Sequence, residues 1–216
     1  MPPPQIRPAD FASLLCSRLC HDLLSPVGAL NNGIELLADE HDPEMRARCL
    51  DLLGESARAS ANKLKFFRLA FGSAGGFGDA VDAREAKAAI EGLLGDGRIE
   101  LGWMVSEPAM SKTAIKVLLN LALIAADALV RGGRIDVGAE SGEIVIRAEG
   151  PRVVLDAELR TALLGETTPD ALTPRAAAAW LVHQLVSEQR GSVIVSPVEE
   201  GVLMLGATTK RRPAGR

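Results

Sequence analysis

The sequence predicts a protein of class α plus α/β, in which an N-terminal helical hairpin, dimerising into a four-helix bundle, is followed by a C-terminal α/β sandwich. Apolar residues recur at helical spacing over residues 10–71, a glycine-rich segment follows at 72–78, and helical and strand patterns alternate after it. We therefore divide the chain into residues 1–75, the helical hairpin, and residues 79–216, the α/β domain. A content of 47% hydrophobic and 24% charged residues is typical of a folded globular chain and excludes a disordered one.

The first helix is expected to begin at a cap on Asp10 and to end near Glu40. Its apolar residues recur at steps of four, three, four and three: Leu23, Val27, Leu30, Ile34 and Leu37. A turn at His41-Asp42-Pro43 leads to a second helix of about residues 44–71, which carries a broader apolar stripe. Because two helices alone cannot bury both stripes, we expect a second copy to cover them, giving a homodimer.

The α/β domain shows helical and strand patterns in alternation. Helices are predicted at residues 83–94, 111–130, 156–164 and 174–190. Strands are predicted at residues 99–105, 134–139, 143–148, 192–196 and 202–208. This order of elements predicts an α/β sandwich.

His21 and Asp22 form the pair with the clearest chemistry. On a helix whose apolar stripe includes Leu23, His21 points about 160° away from that residue, so we expect the ring to be exposed. Asp22 can accept a hydrogen bond from one ring nitrogen, which leaves the other free as a nucleophile for phosphorus. Pro26 lacks a backbone N–H and is expected to bend or loosen the helix just beyond the histidine. The pattern favours a phosphoacceptor site, with His21 as the nucleophile and Asp22 orienting its ring.

Composition and patterning exclude several other classes of function. A net charge of −4 at pH 7 argues against binding to nucleic-acid phosphates, which requires an excess of Lys and Arg. The longest apolar stretch, residues 117–130, is too short to cross a bilayer, and no signal-peptide pattern is present, so we expect a cytoplasmic protein with no membrane role. Cys16, Cys20 and Cys49 form no Cys-x-x-Cys pair, which argues against a disulfide frame or a metal site; they are expected in the core.

His21-Asp22 followed by Pro26 resembles the H-box of the dimerisation and phosphotransfer domain of sensor histidine kinases. The order of elements after it is similar to their ATP-binding domain, although the chemical residues of that domain are lost. The kinases carry Asn-x-x-x-Asn-Ala, whose second Asn holds magnesium; the similar positions are Asn120 and Ile124, and isoleucine cannot bind a hard cation.

Two further kinase motifs are also degenerate. The kinase Asp-x-Gly-x-Gly, whose Asp recognises adenine, falls on residues 148–152, Ala-Glu-Gly-Pro-Arg, which keep only the central glycine. The glycine-rich lid falls on residues 173–178, Thr-Pro-Arg-Ala-Ala-Ala, where side chains occupy the places in which backbone N–H groups approach phosphates. The resemblance therefore implies a kinase-like domain that does not bind ATP.

A histidine hairpin followed by a degenerate kinase-like domain resembles the ChpT-type histidine phosphotransferases. That resemblance implies a phosphorelay, in which His21 takes a phosphoryl group from the receiver aspartate of a CckA-like hybrid kinase. His21 would pass the group to CtrA-like and CpdR-like response regulators, in cell-cycle control. No cofactor of the protein's own is implied, since the receiver partner supplies the magnesium.

Receiver docking is expected on the surface around the histidine. By helical position alone, five residues are candidate contacts: Leu24, Gly28, Asn31, Asn32 and Glu35. Arg18, one turn before His21, can steady a transferring phosphoryl group, but we interpret it as a solvated charge and leave it out of the catalytic set. His41, in the turn, and His183, in an apolar helix beside Trp180, are not expected to carry phosphate.

Two other functions stay open at this point. One is a dimeric adapter that docks response regulators without phosphoryl chemistry, which an inert His21 would reveal. The other is an ATP-using kinase in which Asp127 or Glu149 holds magnesium, which nucleotide titration would reveal. If the protein is a phosphotransferase, we expect the α/β domain to form part of the receiver-docking surface.

Overall fold

The computed structural model describes residues 6–72, 80–95 and 97–209. Most of the glycine-rich segment predicted as a linker, from residue 73 to 78, lies outside these ranges. Two long helices come first: α1 is Pro8–Asp39 and α2 is Pro43–Ala70, and they pack against each other as a hairpin. The predicted helical hairpin is confirmed.

The helix starts follow from local chemistry. The predicted cap at Asp10 is wrong, because α1 already begins at Pro8, whose fixed φ suits a first helical position. Asp10 lies in the first turn and pairs with Arg7, at 2.6 Å. The start of α2 is capped by Asp42, whose carboxylate accepts hydrogen bonds from the amides of Glu44 and Met45, both at 2.9 Å.

Five helices or turns and seven strands follow the hairpin in the described residues. The strands are β1 (Ala80–Asp82), β2 (Ile99–Val105), β3 (Ala109–Ser111), β4 (Gly133–Glu140), β5 (Glu143–Glu149), β6 (Ser192–Val195) and β7 (Val202–Thr208). The helices are α3 (Ala83–Leu94), α4 (Lys112–Ala128), α5 (Ala157–Leu164) and α6 (Ala177–Glu188), with a 3₁₀ turn at Pro169–Ala171. The antiparallel pair of β1 and β3 was not predicted, since strands of three residues carry too little periodicity.

Five strands form one sheet in the order β2-β4-β5-β7-β6. The β2–β4 pair is parallel and the other neighbours are antiparallel. Alternate residues on β4, β5 and β7 are buried, and α4 packs on that face of the sheet. This helix layer on one face of a sheet confirms the predicted α/β sandwich.

The core of the α/β domain extends into the hairpin. α4 is buried on nearly all sides, because it lies between the sheet, α6 and the end of α2. Phe66 and Phe67 on α2 are 0% and 1% exposed and belong to the same hydrophobic cluster as α4. The last turns of α2 are therefore part of the domain core as well as of the hairpin.

The rest of the hairpin leaves apolar surface uncovered in the single chain. Of the predicted α1 stripe, Val27 and Ile34 are exposed, while Leu23, Leu30 and Leu37 are half-buried. On α2, Leu52 and Leu64 are exposed as well. Of the cysteines expected in the core, Cys49 is buried, whereas Cys16 and Cys20 are exposed on α1. Within the described ranges, no helix is both long and apolar enough to span a bilayer.

Candidate functional site

His21 lies in the middle of α1 with its side chain 82% exposed. Its Nδ1 is 3.1 Å from Oδ1 of Asp22, the next residue of the helix. When the Nδ1–H donates to this carboxylate, the lone pair of the neutral imidazole lies on Nε2. The arrangement therefore presents an accessible ring nitrogen, Nε2, with a free lone pair.

Asp22 is more buried than His21, and its carboxylate contacts both His21 and Arg18. Its side chain is 16% exposed, and Oδ2 accepts a hydrogen bond of 2.8 Å from Nε of Arg18, one turn earlier on α1. One carboxylate oxygen thus faces the histidine and the other faces an arginine. The second bond limits rotation of the carboxylate that orients the ring.

Arg18 is not the solvated charge that we expected. Its side chain is only 9% exposed, because the α/β domain covers this side of α1. Nη2 donates to Oδ2 of Asp127, at the end of α4, at 2.8 Å, and Nη1 donates to the backbone oxygen of Arg175 at 3.5 Å. Burial alone would lower the pKa of Arg18, but Asp127 and Asp22 raise it above its usual value, so the guanidinium stays charged.

Pro26 lies inside α1 and is buried, and the helix continues through it. Because proline has no N–H, the backbone oxygen of Asp22 lacks the donor that a helix places four residues later. Lys63 on α2 supplies a donor instead, through a hydrogen bond of 2.8 Å from Nζ to that oxygen. The second helix thereby completes the hydrogen bonding of the first, directly beside His21.

The surface beyond His21 on α1 is open to solvent. Leu24 is 70% exposed, and a Cβ placed on Gly28 would meet no atom within 4 Å. Gly28 is half-buried, and the three polar candidates for receiver contact are exposed: Asn31, Asn32 and Glu35. All five candidate contacts are therefore accessible, and their role in docking stays a prediction.

Ile124, at the position where the kinases carry their magnesium-binding Asn, is buried in the protein core. Ile124 on α4 is 1% exposed. Asn120 is fully buried, and its Nδ2 donates to the backbone oxygen of Ala70 at 3.1 Å, so it ties α4 to the end of α2. The two carboxylates considered as alternative magnesium ligands are both paired: Asp127 with Arg18, and Glu149 with Arg147 at 2.7 Å.

The one glycine retained from the adenine motif has a structural role. The amide of Gly150 donates to the backbone oxygen of Gly201 at 3.0 Å. A Cβ on Gly150 would lie 2.5 Å from the backbone oxygen of Gly132. Three backbone segments therefore meet at a distance that only glycine permits.

The segment in the place of the kinase lid is packed into the domain. Ala176, Ala177 and Ala178 are at most 1% exposed. The Thr173 hydroxyl hydrogen-bonds the Glu158 carboxylate, and Nη1 of Arg175 pairs with Asp156 at 3.0 Å. The predicted helix start at residue 174 is wrong by three residues, because turns at 173–176 precede α6.

The other histidines lie elsewhere. His41 is exposed in the turn between α1 and α2. The half-buried His183 ring lies beside Trp180, with ring centroids 5.7 Å apart, and its Nδ1 is 3.2 Å from the backbone oxygen of Leu163. Its packed position agrees with the structural role that we expected for it.

Sequence reasoning did not find the roles of Lys63 and Asp127. The spacing of Arg18 and Asp22, four residues apart on a helix, is a local signal for their ion pair. Lys63 and Asp127 are remote in sequence, 41 and 109 residues from their partners. Only the missing amide of Pro26 indicates that the carbonyl of Asp22 needs a donor from elsewhere.

The chain is similar to known proteins both in sequence and in structure. The histidine phosphotransferase C-terminal domain matches residues 83–201. "Protein phosphotransferase ChpT" of Brucella abortus (strain 2308) is 38% identical over 134 residues, which are 62% of this chain and 63% of that protein. The chain thus matches less than two thirds of the length of this curated relative. A solved structure of a bacterial phosphotransferase, at 1.7 Å resolution, superposes with a TM-score of 0.83 and 27% identity, covering 95% of this chain and 98% of that one.

Proposed function

This chain belongs to the histidine phosphotransferase family, and from that premise we propose that it carries phosphoryl groups in a bacterial phosphorelay. His21 accepts the group from the receiver aspartate of a hybrid histidine kinase and passes it to the receivers of response regulators. The observation that carries this proposal is the exposed His21 ring, with Nδ1 held 3.1 Å from the carboxylate of the enclosed Asp22.

The chemistry requires little beyond this pair. The Nε2 lone pair attacks the phosphorus of the aspartyl phosphate, the bond from phosphorus to the aspartate oxygen breaks, and its electrons return to the receiver's carboxylate. The imidazole becomes cationic while it keeps its proton on Nδ1, and the Asp22 carboxylate stabilises that charge. The second transfer reverses these steps on another receiver.

We propose that the protein uses no cofactor of its own. Transfer between an imidazole and an acyl phosphate depends mainly on positioning and charge neutralisation, and the receiver supplies the magnesium. The buried Ile124 and the packed alanines at 176–178 support a domain without intrinsic ATP-dependent kinase activity.

The partners follow from the family resemblance and from the surface of the hairpin. We propose a homodimer through a four-helix bundle, because Val27, Ile34 and Leu52 are exposed in the single chain. We further propose that receivers of CckA-like, CtrA-like and CpdR-like proteins dock on α1 around His21, in cell-cycle control. The exposed side chains of Leu24, Asn31, Asn32 and Glu35, together with the half-buried Gly28, support this choice of surface.

The test is phosphoryl transfer from a radiolabelled phosphorylated receiver, beside incubation with labelled ATP alone. The expected result is label from the receiver only, abolished in His21→Ala and kept in His41→Ala, which removes the exposed histidine of the turn. We expect Asp22→Asn to slow transfer about tenfold or more, because the carboxylate charge is lost and the amide Nδ2 can donate to Nδ1 of His21, which favours the other tautomer. Label from ATP alone would identify a kinase, and no label from either donor would identify the adapter.

A further inference from the structure

We propose that Arg18 is a positioning residue of the phosphoacceptor site, through which the placement of the α/β domain controls the Asp22 carboxylate and hence the His21 ring. The inference rests on the proposed function and gives the degenerate domain a role in the transfer step. Arg18 itself touches neither the reacting nitrogen nor the phosphoryl group.

The guanidinium of Arg18 donates hydrogen bonds to three acceptors on different parts of the chain. Arg18 donates from Nε to Asp22 on its own helix, from Nη2 to Asp127 on α4, and from Nη1 to the backbone oxygen of Arg175. The planar fork of an arginine satisfies three such acceptors only when they keep one relative arrangement. The bridge therefore links the orientation of Asp22 to the position of the α/β domain on α1.

The ion pairs of Arg18 lie away from bulk water. The Arg18 side chain is 9% exposed, so a charge-assisted bond at this position is screened less by water than one at the surface. When the Asp127 carboxylate is removed, Asp22 is the one carboxylate partner left to the buried Arg18 among the residues that the structure describes. We expect Arg18 then to draw Asp22 more strongly, which weakens the bond of that carboxylate to Nδ1 of His21.

A cleft separates the hairpin from the α/β domain beside this bridge. Arg18, Asp22 and Asp127 line a cleft of about 1070 Å³ between the hairpin and the α/β domain. At this cleft, the hairpin and the α/β domain are therefore not joined by continuous apolar packing. Among the described residues, the hydrogen bonds of Arg18 to Asp22 and to Asp127 form a polar bridge that reaches the phosphoacceptor pair across the cleft.

The experiment uses the full chain with Asp127→Asn, Asp127→Glu as the conservative rescue, and Glu149→Gln as the matched control. Glu149 is also an ion-paired carboxylate of the α/β domain, 2.7 Å from Arg147, but does not contact Arg18. Three quantities are measured: the maximal single-turnover transfer rate at saturating phosphorylated receiver, the half-saturating receiver concentration, and the ¹⁵N chemical shifts of the His21 ring without receiver. A thermal midpoint for each variant identifies any loss of folding.

We expect Asp127→Asn to lower the maximal rate about tenfold, as misplacement of a reacting group does. The half-saturating receiver concentration should stay unchanged, and the His21 ¹⁵N shifts should move toward a mixture of tautomers. Asp127→Glu should restore the maximal rate and the ¹⁵N shifts of the wild-type protein, and Glu149→Gln should change neither of them. If Asp127→Asn does not fold, Arg18→Lys takes its place, since it keeps the charge but lacks the fork.

Wild-type rates and shifts in folded Asp127→Asn would overturn the inference. So would a rise in the half-saturating concentration alone, because that result would assign Asp127 to docking. If the wild-type protein acquires no label, the proposed function fails instead, and the ¹⁵N shifts still decide whether the α/β domain controls the His21 ring.

Discussion

Lys63 compensates from α2 for the amide that Pro26 lacks in α1, through its 2.8 Å hydrogen bond to the backbone oxygen of Asp22. This cross-helix bond lies at the point where the hydrogen bonding of α1 itself is interrupted. The position of the His21-Asp22 pair therefore depends on the second helix as well as on the first.

Lys63→Met should destabilise the protein by about 1–2 kcal/mol, because it leaves an acceptor without its donor. In the Pro26→Ala background the loss should be smaller, since a restored amide can bond the Asp22 oxygen. Urea unfolding of the four combinations measures the coupling, and hydrogen exchange of residues 22–30 locates it. Lys65→Met, at an exposed site on the same helix, is the control. Equal losses in both backgrounds would contradict the compensation.

Ile124→Asn should not create nucleotide binding, although it restores one residue of the kinase motif. The adenine-recognising aspartate and the glycine-rich lid stay absent, and the new amide is buried without a partner. We expect a loss of about 3 kcal/mol in unfolding free energy, against about 1 kcal/mol for Ile124→Val, the apolar control. Isothermal titration with ATP and magnesium checks the first statement, and binding by Ile124→Asn would refute it.

Gly150→Ala should destabilise the α/β domain by about 2 kcal/mol or more, because the added methyl group meets the Gly132 oxygen at 2.5 Å. Gly138→Ala, within β4 of the same domain, is the matched control, because the nearest atom to an added Cβ there is 3.9 Å away. That substitution should change stability by less than about 1 kcal/mol. Thermal and urea unfolding compare the stabilities of the two variants. Equal losses would mean that the close approach of the backbones is not the reason why position 150 requires glycine.

Ile34→Glu should convert the proposed dimer to a monomer, because it places a charge on the apolar stripe of the hairpin. Ile34 is 58% exposed in the single chain, and Ile194, on the sheet, is 63% exposed. Ile194→Glu therefore makes the same change at a comparable site away from the hairpin, and should leave the mass unchanged. Sedimentation velocity at micromolar concentration measures both, and a monomeric wild-type protein would rule out the four-helix bundle.

Much of the fold was predictable because its elements carry their own signals. The bounds of α3 and β2 agree with the prediction at both ends, since Asp82 caps α3, Gly95 follows it, and β2 alternates clearly. The exposure of His21 followed from helical geometry alone. The burial of Arg18 did not, because a periodic pattern does not say which side of a long helix a distant domain covers. Asp127 therefore entered the site only through the three-dimensional packing.

The aromatic end of α2 should couple the unfolding of the hairpin to that of the α/β domain. Phe66 and Phe67 pack edge to face, with centroids 5.6 Å apart, inside the cluster that also holds α4. Withdrawing the hairpin would hydrate both rings, so neither half melts without exposing the core of the other. The chain should therefore give one calorimetric transition, with a van't Hoff enthalpy equal to the measured one. A hairpin truncated after residue 75 would expose the Phe66 and Phe67 rings to solvent. Point substitutions are therefore better suited than truncation to distinguishing the roles of the hairpin and the α/β domain.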